Sequence, residues 1–133
     1  MERSAIPTTP DTTSPWIETT DPADAATDIA LTKSITITFS ESMDTATFAY
    51  SCTPNPGGWG ETWSTVVEAN DQVTLTHADF GYSTTYTLEV TAADDLAGNP
   101  LIAGPVPNPW GFTTIAEADT AGPVTSTGSA TPN

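Results

Sequence analysis

Residues 34–39 read SITITF, and this short stretch decides the fold class. Its apolar side chains, Ile35, Ile37 and Phe39, alternate strictly with polar ones. Successive side chains of a β-strand point to opposite faces, whereas a helix brings together residues three or four apart. The alternation therefore predicts a strand that is buried on one face and exposed to water on the other.

The same period of two returns farther along the chain, between short runs rich in Asn, Asp, Gly and Pro that are typical of turns. Strands with this period are predicted at 72–76, 84–90 and 110–114, and less regular strands at 16–19, 48–53 and 61–68. Seven or so short strands joined by turns predict an all-β protein folded as an antiparallel β-sandwich. The segment 40–47 is the one place where a helical turn is expected, with Asp44 as its N-cap.

The inward-facing apolar positions of these strands form the predicted core. It contains Ile35, Ile37, Phe39, Met43, Val73, Leu75, Tyr86, Leu88, Val90, Leu96, Trp110 and Phe112. Leu96 is expected to anchor the turn that follows the strand at 84–90. Tyr86 lies near the start of that strand, where its hydroxyl can bond the nearby backbone as in a tyrosine corner.

Both ends of the chain have the composition of linkers. Residues 1–14 and 116–133 are rich in Pro, Thr, Ser, Ala and Gly, which leaves 15–115 as one module. The sequence DTTSP at 11–15 is echoed by DTAGP at 119–123, an offset of 108 residues, about the length of one sandwich. This echo predicts that a second module begins after residue 118 and that the chain is one unit of a tandem array.

The charge of the chain excludes some partners. There are 17 acidic residues against Lys33 and Arg3, which gives a formal net charge of −15. Nucleic acids and anionic membrane surfaces are unfavourable partners, because both need clustered basic residues. No apolar run is long enough to span a membrane, and the N-terminus lacks the apolar core of a signal peptide. The chain is then either cytosolic or a piece of a larger secreted protein, and the echo at 119–123 favours the piece.

Several stretches taken together resemble the bacterial Ig-like domain first associated with S-layer proteins, the SbsA-type domain. In family order they are 20–24, 26–29, 35–44, 84–90, 95–101 and 110–114. The resemblance covers about residues 15–115, with a longer loop than usual at 102–108. It implies an Ig-like sandwich that is repeated in secreted or surface proteins as a spacer, stalk or adhesive module, and it brings no catalytic residues.

Catalysis has little support in the sequence. Cys52 is the only cysteine, so no intrachain disulfide can form, and His77 is the only histidine. A nucleophile needs a base oriented beside it, and nothing in the sequence brings Cys52 and His77 together. A carboxylate pair for glycoside hydrolysis needs a cleft, for which a sandwich of this size has little material. We expect no enzyme activity.

Metal binding is a stronger hypothesis. Calcium is bound by six to eight oxygen atoms from Asp, Asn and backbone carbonyls in loops. Asp94, Asp95 and Asn99 form one candidate calcium loop, and Asp21, Asp24 and Asp28 form a second acidic loop. Neither has the spacing of an EF-hand. The competing interpretation is that these side chains cap turns through backbone amides.

Sugar binding is a third hypothesis. Trp59, which lies between glycines in GGWG, is expected at an exposed loop tip where it could stack on a sugar. Trp110 shares a face with Phe112 and is expected in the core. The sequence thus favours a non-catalytic spacer module without a cofactor, monomeric when isolated, on an extracellular or cell-surface protein. Its expected partners are neighbouring modules and possible surface polysaccharide, with calcium-dependent adhesion and sugar binding as alternatives.

Overall fold

A computed structural model describes residues 11–118. This part of the chain forms eight strands: β1 (Ile17–Asp21), β2 (Ala26–Ile29), β3 (Ile35–Phe39), β4 (Met43–Thr53), β5 (Gly60–Ser64), β6 (Gln72–Thr76), β7 (Thr85–Asp95) and β8 (Trp110–Thr114). Among these residues there is no helix long and apolar enough to cross a membrane.

The strands form two four-stranded sheets packed as a sandwich. One sheet has the order β1-β3-β6-β5 and the other β2-β8-β7-β4. Strand β2 runs parallel to β8, and every other pairing in the described part is antiparallel. The predicted all-β sandwich is confirmed. The additional strand is β2, which is short and irregular, because Asp28 has a φ of 57° and interrupts its pairing with β8.

The core lies between the sheets and is built as the alternation predicts. Ile35, Ile37 and Phe39 are buried, as are the other predicted core residues except Leu96. The prediction for Leu96 is wrong, since its side chain is 73% exposed. Strand β7 ends with the inward-facing Asp95, and the chain then turns outward, so Leu96 points into solvent. Phe80, which was not predicted, is 2% exposed and packs on the ring of Tyr86 with centroids 4.4 Å apart.

The segment 40–47 does not form the expected helical turn. From Met43 onward it belongs to β4, which pairs with β7 along its length apart from a bulge between Asp44 and Ala49. Asp44 caps this bulge, because its Oδ1 accepts a hydrogen bond from the Ala46 N–H at 3.1 Å. The polar residues that resemble a helix N-terminus in the sequence are therefore used to bend an edge strand.

The chain enters and leaves the sandwich at opposite ends. Ile17 begins β1 opposite Phe39, and nearby β4 begins where β7 ends; we call this end the N-terminal pole. Strand β8 ends beside the start of β7, where the Ser83 N–H donates to the carbonyl of Ile115; this is the C-terminal pole. The 11 residues of β7 span about 35 Å between the poles.

The predicted tyrosine corner is confirmed. The hydroxyl of Tyr86, at the start of β7, accepts a hydrogen bond of 2.7 Å from the backbone N–H of Gly81. Because Tyr86 is buried, this bond fixes the loop before β7 to the core. It also supplies a partner for a backbone N–H that would otherwise be left without one.

Removing this hydroxyl should destabilise the domain. We expect Tyr86→Phe to lower the free energy of unfolding by about 1 kcal/mol, since the Gly81 N–H loses its acceptor. Tyr82→Phe is the matched control, because the Tyr82 ring is 46% exposed. Urea unfolding followed by Trp fluorescence measures both variants. Equal stability of the two variants would contradict the structural role of Tyr86.

Candidate functional site

Asp95 is the centre of the N-terminal pole. Its side chain is 1% exposed, and Oδ1 accepts hydrogen bonds from the N–H groups of Ala97 and Asn99 at 2.9 and 2.8 Å. Burial by itself raises the pKa of a carboxyl group, but the hydrogen bonds from Asn99 and Ala97 outweigh it and lower the pKa of Asp95. Asp95 is therefore a buried, ionised carboxylate that shapes the turn after β7.

Asn99 connects this turn to the N-terminal segment. Its Nδ2 donates to Oδ2 of Asp95 at 2.9 Å and to the carbonyl oxygen of Asp11 at 2.8 Å. Pro15 is buried, and its carbonyl accepts a hydrogen bond from the Ile102 N–H at 2.9 Å. Although the sequence assigns residues 1–14 to a linker, the part that begins at Asp11 is held against the sandwich.

Three carboxylates meet at the same place. Oxygen atoms of Asp11, Glu41 and Asp95 all lie within 4.8 Å of one another. Burial raises the pKa of Glu41 from its ordinary value of 4.5 to about 7, and the charges of Asp11 and Asp95 add to this effect. We call these three residues the acidic triad. At neutral pH a proton or a cation would relieve its charge repulsion.

The structure brings together two of the three residues of the predicted calcium loop and separates the third. Asp95 and Asn99 do lie together, but Asp94 is on the opposite side of β7, where its backbone N–H donates to Thr47 Oγ1 at 2.8 Å. Adjacent strand residues point to opposite faces, so Asp94 and Asp95 cannot share one site through their side chains. Asp11 and Glu41, which sequence reasoning missed, take the place of Asp94. Their proximity depends on pairing between distant strands, which no local motif reveals.

The second predicted acidic loop is divided among separate partners. Asp21 forms an ion pair with Lys33 at 2.8 Å. Asp24 Oδ1 accepts a hydrogen bond from the Gly111 N–H at 3.0 Å. Asp28 is exposed and lies at the irregularity in β2. Of the three, Asp24 accepts a hydrogen bond from a backbone N–H, as the turn interpretation predicts, whereas Asp21 pairs with a side chain.

Asp71, directly before β6, is a second buried carboxylate. It is 3% exposed and accepts hydrogen bonds of 2.8 to 3.0 Å from the N–H groups of Val66, Val67 and Glu68. Burial opposes ionisation, but these bonds outweigh it and lower the pKa of Asp71. The backbone of the loop between β5 and β6 therefore folds around the ionised carboxylate of Asp71. The Val67 side chain in this loop is 82% exposed.

Trp59 does not lie at an exposed loop tip, so this expectation is wrong. Its ring is half-buried, with centroids 5.4 Å from Tyr50 and 5.5 Å from His77, and its Nε1 donates to Asn55 Oδ1 at 2.8 Å. The loop folds back because Gly57 and Gly58 adopt φ values of 79° and 69°. Trp110 is buried, as predicted.

Neither Cys52 nor His77 has the surroundings of a catalytic nucleophile or base. Cys52 is 6% exposed, its Sγ lies 3.2 Å from the Pro54 carbonyl oxygen, and burial raises the pKa of the thiol to about 11. Both ring nitrogens of His77 face backbone carbonyls instead. Two open clefts beside the 101–108 loop have volumes of about 240 and 280 Å³. They are smaller than typical ligand pockets.

Comparison with protein families gives one match over most of the chain. The model described as Bacterial Ig-like domain matches residues 11–114. The chain belongs to this family. The match begins at Asp11, whose carbonyl oxygen accepts a hydrogen bond from Asn99. A comparison with curated proteins gave no match.

Comparison with solved structures gives matches at low sequence identity. CopC from Methylosinus trichosporium OB3b is 13% identical with a TM-score of 0.59, over 82% of this chain and 100% of that one. The S-layer protein rSbsC(31-844) is 20% identical with a TM-score of 0.46, over 80% of this chain and 14% of that one. The N-terminal part of the bacterial S-layer protein SbsC is 21% identical with a TM-score of 0.47, over 77% and 24%.

Asp95 and Asp94 form a matched pair for mutation. We expect Asp95→Ala to lower the free energy of unfolding by about 3 kcal/mol, because buried donors lose a charged acceptor. Asp94→Ala should change it by no more than about 0.5 kcal/mol, since the hydrogen bonds of Asp94 within residues 11–118 run through its backbone. Urea unfolding at pH 7 measures both.

The stability lost in Asp95→Ala should depend on pH in a defined direction. The pKa of Asp95 is lowered by folding, so its contribution is complete above the unfolded value of about 4 and is lost as the pH falls further. The stability difference between wild type and Asp95→Ala should therefore shrink below about pH 4. A difference that grows on acidification would contradict the ionised, hydrogen-bonded state of Asp95.

Proposed function

We propose that this bacterial Ig-like domain is a non-catalytic spacer of the S-layer-associated SbsA type, one module of a larger secreted or cell-surface protein. The observation that supports this most directly is that the chain enters at one pole and leaves at the other. A module built in this way extends the distance between its neighbours by its own length, about 35 Å along β7. Its partners are the neighbouring modules of the same polypeptide.

The placement of the terminal strands suits a module that carries tension. Strand β1 belongs to one sheet and β8 to the other, and both run along the line between the poles. A force on the two ends therefore pulls β1 and β8 along their own axes, so that their ladder hydrogen bonds are loaded together rather than one after another. Asn99 and Pro15 add contacts at the entrance.

Tandem repetition is part of the proposal. Asp11, the first residue of the echoed sequence DTTSP, is bonded through its carbonyl to Asn99 and contributes to the acidic triad. A second module that needs the same contact at its entrance would explain why such a sequence recurs 108 residues later, at 119–123. The second copy lies outside the described residues, so the echo supports the proposal from sequence only.

Force spectroscopy tests the spacer function. When the domain is stretched by its two ends between inert handle domains, we expect one unfolding event. Unfolding releases the stretch from Ile17 to Thr114. Its fully extended length minus the length of the folded domain predicts an increase in chain length of about 30 nm. Attachment at Thr53 and Thr85, which both lie at the C-terminal pole, is the control and should give a lower force. Extension of the end-attached domain without a force peak would contradict a tension-bearing spacer.

Calcium-dependent stiffening is a second candidate, favoured by the acidic triad. Three carboxylates supply oxygen ligands of the kind that calcium prefers, and one of them, Asp11, comes from the segment that enters the module. A cation there would neutralise the repulsion that raises the pKa of Glu41. It would also join the entering segment to β7 and to the loop before β4.

Glu41→Gln tests this candidate. Since folding raises the pKa of Glu41, its ionisation destabilises the folded state progressively from about pH 4.5 to pH 7 and fully above that range. We expect the variant to melt at a higher temperature than wild type at pH 8 and at nearly the same temperature at pH 4. Millimolar calcium should raise the wild-type melting temperature at pH 8, and less so that of Glu41→Gln.

Asp94→Asn is the matched control for the calcium response. It removes the ligand that the sequence predicted and leaves the acidic triad intact, so its response should equal that of wild type. An unchanged wild-type melting temperature in calcium would overturn the second candidate and leave the spacer function untouched.

A further inference from the structure

Large hydrophobic side chains are exposed in loops at both poles of the described part of the chain. At the N-terminal pole, Leu96 is 73% exposed, and Val66 and Val67 are 56% and 82% exposed. At the C-terminal pole, Tyr82 is 46% exposed. A single exposed hydrophobic residue is ordinary, but several at one end of a domain are typical of a surface that contacts another protein.

The loops that carry the N-terminal group meet at the first residue of β4. The Met43 N–H donates to the carbonyl oxygen of Asn70 at 3.1 Å, and Met43 pairs with Asp95 at the end of β7. The loop between β5 and β6, which contains the two valines, therefore lies at the same pole as the turn that contains Leu96.

Buried carboxylates hold these side chains outward. Asp71 accepts hydrogen bonds from the N–H groups of Val66 and Val67 at 2.8 and 3.0 Å, so the backbone of both residues is fixed while their side chains remain in solvent. Asp95 takes the inward position at the end of β7, and the next side chain, Leu96, therefore points outward. Because hydrogen bonds already fix these loops, a partner that covers the side chains costs little conformational entropy.

The echoed sequence limits the distance between neighbouring modules. Ile115 is still attached to its own module, since its N–H donates to the Ile29 carbonyl and its own carbonyl accepts from Ser83. In the tandem array proposed above, on which this inference rests, Asp119 takes the place of Asp11 in the following module. The chain from residue 115 to residue 119 spans at most about 14 Å when fully extended. No further domain fits in that space.

The chain enters and leaves beside the exposed side chains. Leu96 belongs to the turn in which Asn99 bonds to the carbonyl oxygen of Asp11 at 2.8 Å. Tyr82 directly precedes Ser83, which holds the chain where it leaves the module. A connection of about 14 Å therefore brings Leu96 of one module close to Tyr82 of the module before it.

We propose that the N-terminal pole is an interface for the C-terminal pole of a preceding copy of this module. Leu96 packs on the ring of Tyr82 from the preceding copy, and the two valines extend the contact across the pole. The chain has a formal net charge of −15, so two copies repel each other and the burial of hydrophobic surface supplies the attraction. An array built in this way is a rod of mutually supporting modules rather than a string of independent domains.

A chain with two copies of the module tests the interface. It joins residues 1–118 to residues 11–133, so that the second Asp11 takes the position of Asp119. We expect the two-copy chain to melt several degrees above the single chain, because the interface forms only between folded copies. Equal melting temperatures would overturn the proposal.

The same two substitutions, placed in different copies, serve as test and matched control. Leu96→Ser in the second copy and Tyr82→Ser in the first copy change side chains at the interface, and each should remove most of the increase in melting temperature. Leu96→Ser in the first copy and Tyr82→Ser in the second copy change side chains at the free ends, and the increase should remain. Equal effects in both copies would overturn the interface, because they would show that each residue stabilises only its own module.

Amide NMR spectra test the interface without any substitution. In the two-copy chain, the signals of Val66 and Val67 should each split in two, one for the copy whose N-terminal pole is covered and one for the free copy. The junction by itself does not move these signals, since the chain enters beside β1 and the valines follow β5, at the opposite edge of the same sheet. Signals that do not split would overturn the interface. That result would leave the force peak of the single domain, which tests the spacer function, unchanged.

Discussion

The carboxylate of Asp95 is buried as a charge at the end of β7, and a buried charge is stable only when hydrogen-bond donors surround it. The donors come from the turn that follows, so this one requirement fixes the path of the chain through Ala97 to Asn99. Asn99 then holds the entering segment at Asp11, which places a second carboxylate beside Glu41. The geometry of the N-terminal pole, including its unusual Glu41, follows from satisfying Asp95.

Part of the acidity of the chain has a structural explanation. Within residues 11–118, the side chains of five aspartates accept hydrogen bonds from backbone N–H groups in turns, bulges and loop ends: Asp11, Asp24, Asp44, Asp71 and Asp95. A sandwich with short strands has many such ends, and each one exposes N–H groups that the ladders do not use. Aspartate supplies the missing acceptor, and the acidic triad arises where two of these caps meet Glu41.

The part of the structure that the sequence predicts is the part governed by local period. The alternation around Ile37 places every second residue in the core, and the position of Tyr86 on its strand implies the bond to Gly81. The wrong predictions concern residues whose burial depends on contacts outside the local sequence pattern. Leu96 points outward because the preceding Asp95 takes the inward position, and Trp59 is half-buried because the loop folds back onto Tyr50 and His77. The acidic triad joins residues from three separate segments, so no spacing in the sequence could reveal it.

The attachment of Asp11 to Asn99 has a consequence for the proposed tandem array. The sequence DTTSP at 11–15 is echoed by DTAGP at 119–123, so a repeat with this offset of 108 residues would carry Asp11 with each copy. A gene segment duplicated from Asp11 carries both halves of the entrance contact, and each daughter copy can fold by itself. A segment copied from the first strand onward would leave Asn99 without its partner and depend on the tail of the copy before it. Recombination is therefore expected to preserve the low-complexity residues ahead of β1, although they resemble a linker.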